Sequence, residues 1–219
     1  MSEERAPRWE RRPEERPQAL LDAAVRLFTT RGYRATRLEE VAAAAGVTKG
    51  TIYYYFGGKE ELLRQSVEAY VADAFAGIER ASTAAGAHTE ERLRATLHAA
   101  WERWLRPETA RLFRLLTGEL RIELPDAFDA AMRAGPMHIW RLVAAILRDG
   151  KRCGEVADDI DPESAARFIA SGLMQQALLH ADFLERGLAT TGADRLFEGA
   201  MGVALRGVAP RDRPPRARA

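Results

Sequence analysis

Apolar residues recur along this chain at spacings of three and four, and no stretch alternates as a half-buried strand would. From Pro17, a favourable first-turn residue, Leu20, Leu21, Ala24, Leu27 and Phe28 make one helical stripe. Thr36 and Glu39 have the T-x-x-E spacing of a capping box, and Leu38, Val41, Ala42 and Ala45 then form a second stripe. Gly46 supplies a left-handed end to that helix. Thr48 stands where it can cap a third, in which Ile52 and Phe56 point inward. A long helix from Lys59 to about Ala81 carries Leu63, Val67, Tyr70, Val71, Phe75 and Ile78 on one side.

Helix punctuation continues to the end of the chain. Thr89, Pro107 and Pro125 open further helices, and Gly135-Pro136 breaks or kinks the last of these. Gly150 and Gly154 mark its end, and Asp161-Pro162-Glu163-Ser164 starts a helix to Gly187. The final helix runs from about Thr191 to Val208. No repeat of 20–50 residues is visible. The expected fold is all-α: a disordered arm (1–16), a three-helix helix-turn-helix head (17–58), a helical-bundle body (59–208) and a disordered basic tail (209–219).

Two short helices joined by a glycine turn form a helix-turn-helix, which places its second helix in a DNA major groove. Thr48, Lys49, Gly50 and Thr51 combine backbone N–H groups at a helix start with a lysine and two hydroxyls, a set suited to phosphate. Gly50 permits close backbone approach. Gly50 and Tyr54 lie opposite Ile52 and Phe56, with Thr51, Tyr53 and Tyr55 on the flanks, and Lys59 is placed to reach a neighbouring phosphate.

At this point the chain resembles the TetR family of bacterial transcriptional regulators. The matching residues are Thr36, V-A-x-x-A-G-V-T-K-G-T-I-Y-Y-Y-F from Val41 to Phe56, and Lys59-Glu60-x-Leu62. Upstream, the match continues through Leu20-Leu21-Asp22-Ala23-Ala24, Leu27-Phe28 and Gly32-Tyr33, so it spans about residues 17–63. The resemblance implies a homodimer whose head binds double-stranded DNA at a palindromic operator, and a body that binds a small-molecule effector. It assigns DNA contact to Thr36, Arg37, Thr48, Lys49, Gly50, Thr51, Tyr53, Tyr54, Tyr55 and Lys59. Two departures stand out. Glu39 and Glu40 bring negative charge early in the first of the two helices, Glu39 as the cap and Glu40 on solvent. Gly57-Gly58 replaces the usual polar cap before Lys59.

Charge tempers the DNA reading. The net charge of the 219 residues is +1, with +2 over residues 1–60 and +4 over 206–219, so the head is only slightly basic. DNA binding must then rest on local placement rather than bulk charge. No run of 18 apolar residues and no secretory signal is present, and the single cysteine, Cys153, fits a reducing cytoplasm. Beside Lys151 and Arg152 it reads as an incidental thiol at a helix end rather than a redox sensor.

The last two helices are the expected dimer contact, with Phe168, Ile169, Gly172, Leu173, Gln176 and Leu179 on one and Leu196, Phe197, Ala200, Met201 and Ala204 on the other. Ordinary packing within one chain is the alternative; the resemblance favours an isologous four-helix contact. For the effector pocket the candidates are His98, Trp101, Trp104, Phe113, Met132, Met137, His138, Trp140 and Met174, broad or adaptable surfaces between helices. They suit a small apolar or amphipathic molecule, and the Gly135-Pro136 break opens space. Glu119 and Glu123 could meet a cation but read as a solvated face. No catalytic motif, metal-ligand spacing or cofactor fingerprint is found. The expectation is a ligand-released repressor in the cytoplasm; a DNA-anchored helical interaction protein without an inducer is the alternative.

Overall fold

The computed structural model describes residues 16–83 and 88–210. The expected arm and basic tail therefore lie outside the described residues, save Arg16, Ala209 and Pro210. Among the described residues every regular element is helical: α1 (Arg16–Arg31), α2 (Leu38–Ala44), α3 (Lys49–Phe56), α4 (Lys59–Ser82), α5 (Thr89–Trp104) and α6 (Pro107–Leu115) come first. A π-helical stretch, Leu116–Leu120, joins α6 to the short α7 (Arg121–Glu123). Then follow α8 (Pro125–Ala134), α9 (Pro136–Arg152), α10 (Pro162–Glu185) and α11 (Ala193–Val208). The starts at Pro107, Pro125, Pro136 and Pro162 reflect proline's fixed φ and missing N–H, both harmless in a first turn.

The chain divides into two compact units at Val67–Glu68, inside α4. The sequence pattern puts this border at 58/59. It falls later because Leu62, Leu63 and Val67 of α4 are buried, so its first turns belong to the first unit.

In the first unit α1 buries Leu20, Ala24 and Phe28, α2 buries Leu38 and Val41, and α3 buries Ile52 and Phe56. Gly46, at φ 68°, turns the chain out of α2, and the Val47 N–H returns to the Ala42 carbonyl at 2.9 Å.

The second unit is built around α5, α9 and α10. Leu93, Leu97 and Trp101 meet Val143, Ile146 and Leu147 across a face of α10 made of Ala166, Ala170, Leu173 and Ala177. Small residues on α10 let two larger-faced helices close on it, and each large side chain so buried contributes about 1.5–3 kcal/mol. Phe197 and Met201 of α11 complete this core. Leu173, Phe197 and Met201 are thus corrected from the expected dimer contact: all three are buried within the chain. Helix α10 has two apolar faces, and the second carries Phe168, Leu179 and Phe183 outward.

One glycine fixes how close α9 comes to the start of α5. A Cβ on Gly150 would meet Thr89 Oγ1 at 2.4 Å, Thr89 Cγ2 at 2.7 Å and Val156 Cγ2 at 2.9 Å. That same helix start is held by Glu155, whose carboxylate accepts from the Thr89 backbone N–H at 2.8 Å and lies 2.6 Å from His88 Nδ1. Hydrogen bonds from Thr89 and then His88 hold Glu155 down to about 2, and Glu155 raises His88 above its usual value.

Two outcomes follow for stability. Gly150→Ala overpacks this junction and should lower the melting temperature by on the order of 5 °C in calorimetry. Gly77→Ala, whose Cβ would meet nothing nearer than Arg80 Nη2 at 4.0 Å, should leave it unchanged or raise it. Equal melting temperatures for both variants would remove the close-approach argument. The second outcome concerns pH. A carboxylate depressed in the fold stabilises above its unfolded pKa and loses this as pH falls; a raised histidine stabilises below its unfolded pKa and loses this as pH rises. The gap in melting temperature between wild type and Glu155→Gln should be widest at about pH 5–6, between the two unfolded values, and narrow on both sides. A gap independent of pH would contradict the pairing.

Candidate nucleic-acid interface and ligand cavity

Thr36 sets the register of the head. Its side chain is 1% exposed, and its hydroxyl faces the Gly32 carbonyl at 2.8 Å and that of Leu27 at 3.3 Å, tying the chain back onto the end of α1. This overturns two expectations. A buried Thr36 presents no hydroxyl to a phosphate, and it is not the residue that caps α2. Arg37 takes the cap position instead, and Glu40, three residues on, accepts its backbone N–H at 2.9 Å. Glu40 is therefore not on open solvent: it is half-buried, pairs with Arg31 and is held below the usual carboxylate range, chiefly by the Arg37 N–H. Glu39 is released from capping and meets Lys49 of α3 at 2.7 Å. The pair lowers Glu39 and raises Lys49. Sequence reasoning named Lys49 and missed its partner ten residues upstream.

On α3, the burial of Ile52 and Phe56 turns the opposite face outward. Tyr54 is 83% exposed and Tyr53 49%, and Lys49, Gly50 and Thr48 are exposed beside them. Thr48 occupies the cap position, but its hydroxyl lies 3.0 Å from that of Thr51 rather than on a backbone N–H. Tyr55 is half-buried and meets Tyr54 edge to face at 5.0 Å. The Lys49 ammonium lies 5.7 Å from the Tyr53 ring centre, so the outward face joins a cation, hydroxyls and aromatic edges. Arg37 is exposed. Lys59 is half-buried, its ammonium 4.5 Å above the Tyr33 ring and donating to the Arg34 carbonyl at 3.3 Å.

The second unit contains a partly enclosed cavity of about 80 Å³ between α4, α5, α6, α8, α9 and α10. Of the nine residues expected around a ligand, Trp104, Phe113 and Met174 line it. The other six are elsewhere. Trp101 is buried in the core against Phe197, and His98 is exposed and stacks edge-on upon the same ring. His138 pairs with Glu79 at 2.9 Å and packs on Phe75, while the Trp140 ring receives Arg167. Met132 and Met137 lie outside the lining, Met137 being exposed. The Gly135-Pro136 break does border the cavity, with Gly135 buried.

The polar lining residues were not foreseen: Tyr70, Arg103 and Thr109. The Tyr70 hydroxyl lies 2.8 Å from Thr109 Oγ1, which itself donates to the Arg103 carbonyl at 2.8 Å. Arg103 lies over the Tyr70 ring, its Cζ 4.2 Å from the centre, and donates to the Tyr70 carbonyl at 3.3 Å. These residues sit on three helices, 33 and 39 positions apart, beyond the reach of any local spacing rule. No helix among the described residues is long and apolar enough to cross a membrane.

Comparison with known proteins places this geometry. Residues 20–65 match the model of bacterial regulatory proteins, tetR family. The transcriptional regulator AcuR of Cereibacter sphaeroides is 32% identical over 153 residues, 68% of each chain. The transcriptional repressor KstR2 of Rhodococcus jostii is 28% identical over 150 residues, 68% of this chain and 72% of its own. The solved structure of the transcriptional regulator FadR from Bacillus subtilis, in complex with stearoyl-CoA, shares the fold at 20% identity and a TM-score of 0.71, covering 87% of this chain and 98% of that one. The head, its outward tyrosine face and these relationships agree, and the chain belongs to the TetR family as an all-helical, DNA-binding transcriptional regulator.

Proposed function

We propose that this regulator is a repressor that binds a palindromic operator as a homodimer and is released when a small effector enters the cavity of the second unit. Gly50 carries the DNA half of the reading. A glycine inside a helix is unfavourable by about 0.5–1 kcal/mol relative to alanine. Here its Cβ would meet only Thr48 Oγ1, at 3.8 Å, an ordinary contact. Among the described residues nothing requires the glycine, and close approach of a DNA strand would account for it. Around it, Arg37, Thr48, Lys49, Thr51 and Lys59 supply phosphate contacts, and Tyr53, Tyr54 and Tyr55 supply groove contacts; Thr36 drops out. Phosphate contacts fix register, and base edges carry sequence.

The dimer reading is supported by the outward face of α10 and α11. On one side of α10 Phe168 is 80% exposed and Leu179, Phe183 and Gly172 are also exposed, and α11 exposes Val203 and Gly199. Exposed apolar side chains of this kind suit an interaction site, and a twofold contact would cover the same patch on both copies. Two heads so joined would enter successive major grooves, about 34–36 Å apart. The repressor sense is supported by KstR2, which carries that name. The effector is supported by the cavity, and by the bound stearoyl-CoA of a regulator with this fold.

Gly50→Ala separates folding from binding. The variant should be as stable as wild type or up to about 1 kcal/mol more so, yet bind more weakly to an operator recovered by genomic-fragment selection. Undiminished operator affinity would refute close approach at Gly50. For the dimer, sedimentation at micromolar concentration should give twice the chain mass for wild type and a shift to monomer for Phe168→Asp. A monomeric wild type would eliminate the proposed interface.

A further inference from the structure

Two acids open α2, and they are used differently. Glu40 closes the helix cap and pairs with Arg31. Glu39 reaches across to α3 instead: its carboxylate meets the Lys49 ammonium at 2.7 Å, and the two side chains stay 60% and 45% exposed. Lys49 is the first residue of α3, next to Gly50, and its ammonium lies 5.7 Å from the Tyr53 ring centre. The cation is thus held between a carboxylate and a ring, at the edge of the face proposed to meet DNA. A pair this open adds little to stability. Near the start of α2 an acid also gains from the helix dipole, but Glu40 already supplies one there. Folding therefore gives small reason for Glu39, while an anion at this corner repels the polyanion that the head binds.

We propose that Glu39 is a specificity-determining residue: it neutralises Lys49 towards DNA at a distance and yields it to a phosphate only on direct contact. This rests on the phosphate role given to Lys49 above. Two regimes of binding differ in range. Non-specific binding is electrostatic and independent of sequence. On DNA that offers no base contacts to seat α3, the phosphates are met across solvent. At that range Lys49 and Glu39 act as a neutral pair, since their opposite fields cancel and salt screens the rest. On the operator α3 is seated closely at Gly50, and a phosphate oxygen comes within hydrogen-bond distance of Lys49. That bond replaces the Glu39 contact, and the carboxylate, already exposed, turns to water. Exchange of one exposed anionic partner for another is close to balance, so operator binding loses little. Glu39 therefore subtracts from binding wherever docking is loose, and widens the gap between the operator and other DNA.

Fluorescence anisotropy with the full chain tests this, on a selected operator and on a scrambled duplex of equal length, between about 50 and 200 mM salt. Glu39→Gln keeps the shape of the side chain and removes its charge. It should tighten binding to the scrambled duplex roughly three- to tenfold and steepen that salt slope by about 0.9, the value of one further phosphate contact. Operator affinity should change by less than about twofold. In a Lys49→Met background Glu39→Gln should lose most of its effect. That arm separates release of Lys49 from a mere gain of positive charge, which acts with or without the lysine. Equal tightening on both duplexes, an unchanged slope on the scrambled one, or a full effect without Lys49 overturns the inference. So does weaker operator binding by Glu39→Gln with the scrambled duplex unaffected, which would make Glu39 itself an operator contact. Lys49→Met alone tells the two readings apart. If it leaves both affinities unchanged, the phosphate role of Lys49 falls and this inference with it. If it weakens both while Glu39→Gln fails as above, only the role of Glu39 is lost.

Discussion

A helix of eight residues cannot hold itself together in water, since isolated helices shorter than about 12–15 residues are marginal. Helix α3 exists because Ile52 and Phe56 dock it, and α2, at seven residues, because Leu38, Val41 and Ala42 do the same. That requirement has a functional consequence. Two buried side chains at i, i+4 leave α3 one rotational setting, and Gly50 and Tyr54 then face outward by geometry. The surface proposed to meet DNA is therefore specified by what the core demands on the other side. The buried Thr36 hydroxyl works to the same end, pinning the approach to α2 against the end of α1.

Much of this was legible along the chain. Helix starts at Pro107, Pro125 and Pro162 and the break at Gly135-Pro136 are written in residues whose backbone restrictions are local, and local spacing reads them well. The register of α2 was not legible. Thr36 with Glu39 and Arg37 with Glu40 have the same spacing, and the choice depends on whether Thr36 is buried, a tertiary fact. Helix α10 misled for a similar reason. A periodic pattern reports that a face is apolar, not whether it meets its own chain or remains exposed, so Leu173 and Phe168 looked alike. The cavity was the least legible part. Trp104, Phe113 and Met174 could be guessed by type, but the Tyr70–Thr109–Arg103 cluster joins distant positions whose hydrogen bonds no sequence interval encodes.

The slightly basic head raises the question of how it binds a polyanion. Three of its described cations are held in place: Lys49 by Glu39, Arg31 by Glu40, Lys59 over Tyr33. Exposed pairs of this kind contribute only about 0–1 kcal/mol. A phosphate can thus replace a carboxylate partner at small cost, while the pair limits the rotamers of a flexible lysine before DNA arrives. Pre-positioned cations, few in number, favour register over bulk attraction.

The cavity and the head share one helix. On the effector reading, Tyr70, Val71, Phe75 and Ile78 make α4 a wall of the cavity, and α4 runs without interruption from Lys59. No proline stands in it, and its one glycine, Gly77, lies beyond Tyr70 on the side away from Lys59. A ligand that fits the small cavity as it stands favours no new arrangement, however tightly it binds, because equal affinity for two states shifts neither. One that must push the α4 wall outward has a differential affinity, and its effect on the head is bounded by that difference. How far an occupant displaces that wall, rather than how tightly it is held, is then what decides the signal.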